Sequence, residues 1–219
     1  MVDTSVLVPF VLSSLVIIMS PGADTFLLLR FAIRSGRPAG FAAMVGILAG
    51  LSLVSLLLIS GMGLLITRVP YALMTVNVAG IAVLFALAAV SARAGWLLLR
   101  KPLEDPAVEK RLSGKPFGVS LITNVTNPKV LIFYLAFFPQ FLGVADNAVL
   151  QLTLLSAVFL LVSTLWLIPL VYAASAARAF FLRTKVAIIM EFVVAGVFLL
   201  LAVLLTLSLV KETTSVLPL

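Results

Sequence analysis

The sequence predicts an all-α integral membrane protein with six transmembrane helices, from its composition, its uncharged windows and the placement of its basic residues. Of the 219 residues, 63% are hydrophobic and 11% are charged, against about 45–50% and about 25% in a soluble domain. The mean hydropathy is +1.29. A soluble domain of this size has too little interior to bury so much apolar surface, which excludes soluble enzymes and disordered chains.

Six windows of the sequence are nearly free of charge, and each is long enough to cross a bilayer core of about 30 Å, which takes about 20 helical residues. They span residues 4–23, 38–67, 69–92, 116–145, 147–177 and 192–210. The first continues helically to residue 29 past one acid, Asp24, and the fourth is interrupted only by Lys129. Residues 186–190 and Glu191 precede the sixth, and we expect Glu191 at the membrane interface.

The basic residues predict the orientation of these helices, because cytoplasmic loops of membrane proteins are enriched in Lys and Arg. The first, third and fifth connections carry nearly all of them: Arg30, Arg34, Arg37, Arg93, Arg100, Lys101, Lys110, Arg111, Lys115, Arg178, Arg183 and Lys185. These connections are predicted to be cytoplasmic, which puts both termini outside. The residues responsible for the net charge of +7 are therefore expected in loops at the surface of the lipid bilayer, and nucleic acid is not expected as a partner.

The chain divides near its middle into two predicted halves of three helices. The halves are residues 1–99 and residues 116–219, joined by a polar cytoplasmic linker over residues 100–115. Prolines and charges of both signs in the linker are typical of a solvated connection. Because each half has an odd number of helices, the halves lie in opposite orientations. The prediction is two inverted three-helix repeats, as in many secondary transporters.

The first helix of each half contains a proline, which removes a helical hydrogen bond and clashes with the preceding turn. Helices 1 and 4 are therefore predicted to be broken at Pro21 and Pro128. Breaks at corresponding positions of two halves point to the substrate site of a transporter. The residues predicted to bind substrate surround these breaks: Pro21, Gly22, Asp24, Asn124, Asn127, Pro128 and Lys129.

These polar groups suit a zwitterion such as a free amino acid. The N-terminus of a half-helix attracts a carboxylate with free N–H groups and a positive dipole end, whereas unwound carbonyls, Asn side chains and an acid can hold an ammonium group. Simpler interpretations stay open at this point. Asp24 could cap its half-helix, Lys129 could extend to the cytoplasmic surface, and the prolines could serve helix packing alone.

Four glycines in and just before the second window form two pairs with the GxxxG spacing. They are Gly36, Gly40, Gly46 and Gly50. Small residues at this spacing let helices approach closely, so we predict that they pack helices together. A sliding surface for alternating access is the other interpretation. Gly36 is also placed to end one helix just before Pro38 begins the next.

The chain has no Cys and no His. It therefore lacks thiolate and imidazole metal ligands and the usual thiol or imidazole catalysts. We expect no metal, no cofactor and no enzymatic activity, because no nucleophile stands beside a base and no nucleotide-binding motif occurs. Without an ATP site, transport would be driven by a gradient, with Asp, Glu and Lys as the side chains suited to carry a proton within the membrane.

Three stretches of the sequence resemble one family of membrane proteins. Residues 20–29 read Ser-Pro-Gly-Ala-Asp-Thr-Phe-Leu-Leu-Leu, residues 35–40 read Ser-Gly-Arg-Pro-Ala-Gly, and residues 127–141 read Asn-Pro-Lys-Val-Leu-Ile-Phe-Tyr-Leu-Ala-Phe-Phe-Pro-Gln-Phe. They are similar to the LysE/RhtB family of amino-acid exporters, and the similarity extends over nearly the whole chain. The chain departs from the family's usual Pro-Gly-Pro at Ala23, which restores a backbone N–H and softens the predicted kink.

The resemblance implies a bacterial inner-membrane exporter of amino acids or related metabolites, driven by the proton motive force and assembled as a homo-oligomer such as a dimer. We therefore hypothesise proton antiport of a small, neutral amino acid. Asp24 would bind the coupling proton or the substrate ammonium, and the backbone around Pro21 and Pro128, with Asn124 and Lys129, would hold the carboxylate. The alternatives are a membrane scaffold or assembly subunit, and an exporter of another small metabolite or cation.

Overall fold

The computed structural model describes residues 2–20, 22–68, 72–100, 115–142, 145, 147–181 and 183–216, and every element within these ranges is a helix. The elements are α1 (Leu7–Met19), α2 (Ala23–Arg68), α3 (Ala72–Arg100), α4 (Pro116–Val125), α5 (Pro128–Phe137), a 3-10 helix (Phe138–Phe141), α6 (Ala148–Tyr172), α7 (Ala174–Phe181) and α8 (Thr184–Val216). Pro21 and the interior of the predicted linker, residues 101–114, lie outside the described residues. The prediction of an all-α protein is confirmed.

Length and composition identify the membrane-spanning helices in the described part of the chain. Four stretches are long and apolar enough to cross a bilayer: Ala23–Gly61, Val78–Arg100, Ala148–Tyr172 and Thr184–Val210. The pair Pro116–Val125 and Lys129–Phe141, bent by 55°, makes a fifth if it is counted as one broken span. With 13 residues, α1 is too short to cross alone, since a crossing takes about 20 residues. The chain is a multi-pass membrane protein.

The last helix begins earlier than the sixth uncharged window. It starts at Thr184 and runs through Glu191 without interruption. Glu191 therefore lies seven residues beyond Thr184, or about 10 Å along the axis at about 1.5 Å per residue. A charged side chain does not interrupt the backbone hydrogen bonds of a helix, so the uncharged window marks only the apolar part of α8.

The helix α2 turns sharply at Gly36, where the φ angle is +83°. A glycine adopts this left-handed conformation without steric cost because it has no Cβ. A Cβ placed on Gly40 would lie 2.7 Å from the Cβ of Ala32, whereas residues eight apart in a straight helix are separated by about 12 Å. The two arms of α2, residues 23–35 and 37–68, therefore meet at a tight turn, with Pro38 in the first turn of the second arm.

The helix α2 packs against α4 through two of its glycines. A Cβ on Gly46 would collide with the backbone carbonyl oxygen of Phe117, and a Cβ on Gly50 would lie 2.5 Å from Oδ1 of Asn124. Only a residue without a side chain lets the two helices approach this closely. At these two positions the close contact lies within one chain.

Seven aromatic side chains form a buried cluster that joins α1, α5, the 3-10 helix and α6. They are Phe10, Phe133, Tyr134, Phe137, Phe138, Phe141 and Phe159, and none is more than 8% exposed. The centroids of neighbouring rings lie between 4.4 and 6.0 Å apart, in the range of favourable stacked and edge contacts. The hydroxyl of Ser55 on α2 lies 3.1 Å from the hydroxyl of Tyr134, which ties this aromatic cluster to α2 as well.

Gln151 anchors the N-terminal segment to α6. Its Oε1 accepts a hydrogen bond from the backbone nitrogen of Asp3 at 2.9 Å, and its Nε2 donates to the carbonyl oxygen of Asp3 at 2.9 Å. The same Nε2 lies 3.4 Å from the carbonyl oxygen of Phe141. Because Gln151 is fully buried, its amide depends on these bonds, which hold the segment before α1 against the end of the 3-10 helix.

We expect Gly46→Ala to destabilise the protein, because its Cβ would collide with the carbonyl of Phe117 and force α2 away from α4. Overpacking costs about 1–3 kcal/mol, which exceeds the gain of about 1 kcal/mol that alanine brings to a helix. The midpoint of thermal unfolding in detergent measures the change. Gly196→Ala is the control, because no atom lies within 4 Å of its Cβ position. Equal midpoints for the two variants would contradict this packing.

Candidate functional site

The break between α1 and α2 lies beside the break between α4 and α5. Asp24, in the first turn of α2, is hydrogen-bonded to Asn124 and Asn127 at the second break. Lys129, in the first turn of α5, is hydrogen-bonded to Ser20 at the first break. Each break therefore supplies one charged residue, and polar residues of the other break bind it.

The carboxylate of Asp24 has one satisfied oxygen and one unsatisfied oxygen. Its Oδ2 accepts hydrogen bonds from Nδ2 of Asn124 and from Nδ2 of Asn127, both at 3.0 Å. Its Oδ1 is buried and has no hydrogen-bond partner among the described residues. The bonds of Asp24 cross to the second break instead of capping α2, although the dipole of α2 also favours a negative charge here. Oδ1 is chemically able to accept a proton or a ligand cation.

The two asparagines are held by the helices around them. Asn127 caps α5, since its Oδ1 accepts a hydrogen bond from the backbone nitrogen of Lys129 at 3.1 Å, and its amide nitrogen remains free to donate to Asp24. Asn124 is fully buried in the last turn of α4, against Gly50 of α2. Asn127 uses the donor and the acceptor of its amide at once, which neither Asp nor Ala can do.

Lys129 is bound at the end of α1. Its Nζ donates to Oγ of Ser20 at 2.9 Å and to the carbonyl oxygen of Ser20 at 3.2 Å. The last carbonyls of a helix lack partners within it and form the negative end of the helix dipole. The ammonium group is thus held inside, at the negative end of α1, and the charges of Glu191 and Asp24 also act on it. Anion and cation each lie at the helix end that favours them.

A cavity lies where the two breaks meet, with about 590 Å³ of space that no protein atom fills, part of it open to the outside. The apolar part of its lining includes Ile17, Ile47, Leu51, Phe133, Phe159 and Leu167. Sites for small molecules usually combine an apolar lining with a few polar groups. The geometry fits a small molecule that has a charged end and an apolar end.

Five of the seven residues that the sequence predicts to bind substrate line this cavity: Gly22, Asp24, Asn124, Asn127 and Lys129. Pro21 lies outside the described residues, and Pro128 is described only as the first residue of α5. None of the four predicted packing glycines is among the lining residues. Among the described residues, no three Asp or Glu side chains come together as a metal site would require.

The contribution of α6 to the cavity was missed by the sequence analysis. Phe159, Ser163 and Leu167 follow each other at intervals of four residues and line the cavity together. Their spacing marks one face of a helix. Because α6 is apolar on all sides, nothing in the spacing distinguishes a face toward a cavity from a face toward lipid.

Comparisons with known proteins identify the relatives of the chain. A family model described as LysE type translocator matches residues 15–209. The uncharacterized membrane protein YrhP of Bacillus subtilis is 28% identical over 173 residues, which cover 77% of this chain and 82% of YrhP. The uncharacterized membrane protein PA4757 of Pseudomonas aeruginosa is 29% identical over 179 residues, with 80% and 82% covered. A leucine efflux protein of Enterobacter sp. is 26% identical over 177 residues, also with 80% and 82% covered. No solved structure matches the chain.

We expect Asn127→Ala to lower the free energy of unfolding more than Asn147→Ala does. Both asparagines cap a helix, α5 and α6 respectively, and losing a cap costs about 0.5–2 kcal/mol. Only Asn127 also donates to Asp24, and a hydrogen bond to a charged group is worth about 1.5–3 kcal/mol. Thermal unfolding in detergent measures both variants.

A double-mutant cycle with Asp24→Ala separates the two contributions of Asn127. In the Asp24→Ala background, Asn127→Ala should cost no more than Asn147→Ala. If the excess cost persisted there, the bond between Asn127 and Asp24 would not be its source.

Proposed function

Because the chain belongs to the LysE type translocator family, we propose that it exports a small, neutral amino acid or derivative across the bacterial inner membrane in exchange for protons. Membership confirms the resemblance found in the sequence, and it makes the protein a membrane translocator of small molecules, not an enzyme. The name of the leucine efflux relative supports a neutral amino acid as the substrate.

The observation that carries the proposal is the partly buried carboxylate of Asp24 between the two breaks, whose Oδ1 atom is buried without a partner among the described residues. A carboxylate away from water is costly unless it is paired or hydrogen-bonded, and only Oδ2 has partners among the described residues. A proton or the ammonium group of a substrate at Oδ1 would complete its environment. Because both ligands use the same atom, binding of one favours release of the other, which is the physical basis of antiport.

The other end of a zwitterion has partners at the same cavity. The N-terminal turns of α2 and α5 begin at the two breaks, and the first N–H groups of a helix have no carbonyl partner within it. At α5, Pro128 has no N–H, and the N–H groups of Lys129 and Val130 are bonded to Asn127. The donors of this kind are therefore those at the start of α2. The substrate carboxylate would bind the N–H groups of α2 next to Gly22, together with the second hydrogen of the amide nitrogen of Asn124. Lys129 would exchange its bonds to Ser20 for the carboxylate, so that its ammonium group stays hydrogen-bonded throughout.

The proposal includes six spans in two inverted halves, residues 1–99 and 116–219, with a cytoplasmic linker and both termini periplasmic. The turn at Gly36 supports it, since α1 and the first arm of α2 then make one broken span and the second arm makes another. The pair α4 and α5 is the corresponding broken span of the second half. Assembly as a homo-oligomer, such as a dimer, is also part of the proposal.

The alternative function as a membrane scaffold or assembly subunit does not account for this cavity. A packing kink needs neither a carboxylate with a buried oxygen that no described residue pairs nor an ammonium group beside it. Export of another metabolite or of a cation uses the same groups, and a panel of substrates tests it together with the amino acids.

We expect the purified protein in liposomes to drive labelled neutral amino acids against their gradient when a pH gradient is imposed. Asp24→Asn should reduce this pH-driven flux to the level of empty liposomes, because an amide cannot take up the coupling proton. Asp3→Asn is the matched control, since Asp3 binds Ser5 near the N-terminus and does not line the cavity. Full pH-driven transport by Asp24→Asn would remove Asp24 from the coupling mechanism, and absence of any flux in the unaltered protein would refute the proposed function.

A further inference from the structure

The apolar part of the cavity contains a buried hydroxyl group that no atom of the described residues satisfies. Ser163 of α6 is 2% exposed, lines the cavity and has no hydrogen-bond partner among the described residues. Leaving a buried hydroxyl without a partner is unfavourable. We therefore expect a molecule that occupies the cavity to supply a hydrogen-bond partner for the hydroxyl of Ser163.

Several hydroxyl groups in the helices of this protein bond to their own backbone, whereas four serines have no partner among the described residues: Ser14, Ser120, Ser156 and Ser163. Of these four, Ser163 is the one that lines the cavity. Thr164, the next residue along α6, donates to the carbonyl oxygen of Leu160 at 2.7 Å, and Ser52 of α2 donates to that of Leu48 at 2.8 Å. This local bond is the usual way to satisfy a hydroxyl within a helix. Ser163 does not make it, so its donor and its acceptor capacity are both available to the cavity.

We propose that Ser163 determines specificity, by pairing with a single hydroxyl group on the side chain of the substrate. The substrate class is then a neutral amino acid whose short aliphatic side chain carries one hydroxyl, an inference that rests on the proposed function. Ile17, Ile47 and Leu51 accommodate the aliphatic carbons. A charged or carboxamide side chain does not fit, because one serine cannot satisfy all of its donors and acceptors.

Threonine and valine test this inference, because the two amino acids have nearly the same shape and differ by a hydroxyl in place of a methyl. Each is used unlabelled to compete with a labelled neutral amino acid for export from proteoliposomes. We expect the unaltered protein to favour threonine over valine about tenfold, because the free energy of one neutral hydrogen bond corresponds to about this ratio of affinities. Ser163→Ala should bring this ratio close to one by weakening competition by threonine.

Ser156→Ala is the matched control. Ser156 lies two turns earlier on α6, is 4% exposed and also lacks a hydrogen-bond partner among the described residues, but it does not line the cavity. Its substitution should leave the threonine to valine ratio unchanged. A ratio near one in the unaltered protein, or an unchanged ratio in Ser163→Ala, would overturn the role of Ser163 while leaving amino-acid export intact. Failure of every amino acid to compete would overturn the proposed function itself.

A second inference concerns the aromatic cluster, which lies between the cavity and the N-terminal segment. Phe133, Tyr134 and Phe159 line the cavity, and the cluster continues from them to Phe10, whose ring lies 5.3 Å from that of Phe141. Beyond these rings, Gln151 bonds both backbone groups of Asp3. With rings this buried, the cluster leaves a substrate no route in this direction.

The geometry points to this aromatic cluster as a gate that Gln151 holds closed. Phe10 lies on α1, which is only 13 residues long and ends at the cavity. Since Gln151 fixes the segment before α1 to α6 and to the carbonyl of Phe141, release of its bonds would free α1 to move its ring out of the cluster. The inference rests on the proposed transport and on the proposed periplasmic N-terminus.

Single-cysteine labelling tests the gate, and the absence of native Cys means that no other thiol of this protein reacts. A membrane-impermeant maleimide added to intact cells should label Leu51→Cys, in the cavity lining, slowly in the otherwise unaltered protein. Adding Gln151→Leu should raise the labelling rate several-fold. Gln151→Glu should raise it as well, because a carboxylate cannot donate and would face the carbonyl oxygens of Asp3 and Phe141.

The control for this experiment is Thr153→Ala, an exposed residue of α6 that bonds only its own helix at the carbonyl of Val149. It should leave the labelling rate of Leu51→Cys unchanged. Rapid labelling before any change at Gln151, or equal rates with Gln151 and with either of its variants, would show that Gln151 does not hold a gate.

Discussion

The structure depends on the hydrogen bonds that Asn124 and Asn127 donate to the carboxylate of Asp24. A charge inside a membrane protein is expensive unless dipoles or an opposite charge replace the water it has lost. Here the replacement comes from two amides, from the N-terminal end of α2 and from the nearby Lys129. Both helix breaks are needed for it, because an unbroken helix would present neither a free N-terminus nor a capping asparagine at this depth.

The remaining packing brings the two breaks to the same place. Asn124 reaches Asp24 only if α4 lies very close to α2, and Gly46 and Gly50 permit this approach. The turn at Gly36 lets α2 continue as a second arm that carries these glycines back along the first. The glycines therefore support the polar site from outside the cavity, and their effect on function is an effect on the position of Asn124.

The cavity combines this polar site with an apolar lining, and the two parts have different chemical tasks. The charged groups are suited to the features that all free amino acids share, an ammonium group and a carboxylate. In the proposed binding mode, the side chains from α6 face the part in which amino acids differ, where Ser163 is a polar group among apolar neighbours. The proposal separates the binding of a zwitterion from the choice among zwitterions, so we expect substitutions on α6 to alter the substrate without removing transport.

The sequence by itself determined the solvent, the helices and much of the polar site. A chain with 63% hydrophobic residues must lie in a bilayer. Pro21, Pro128 and the isolated charges Asp24 and Lys129 indicate where helices break, because prolines and charges within an apolar window are costly in lipid and stand out in the sequence. Only the tertiary structure decided that Lys129 binds Ser20, that α4 is the partner of Gly46 and Gly50, and that one face of α6 completes the cavity. An apolar side chain is equally soluble in lipid and in a protein interior, so its pattern along the chain does not record which of the two it faces.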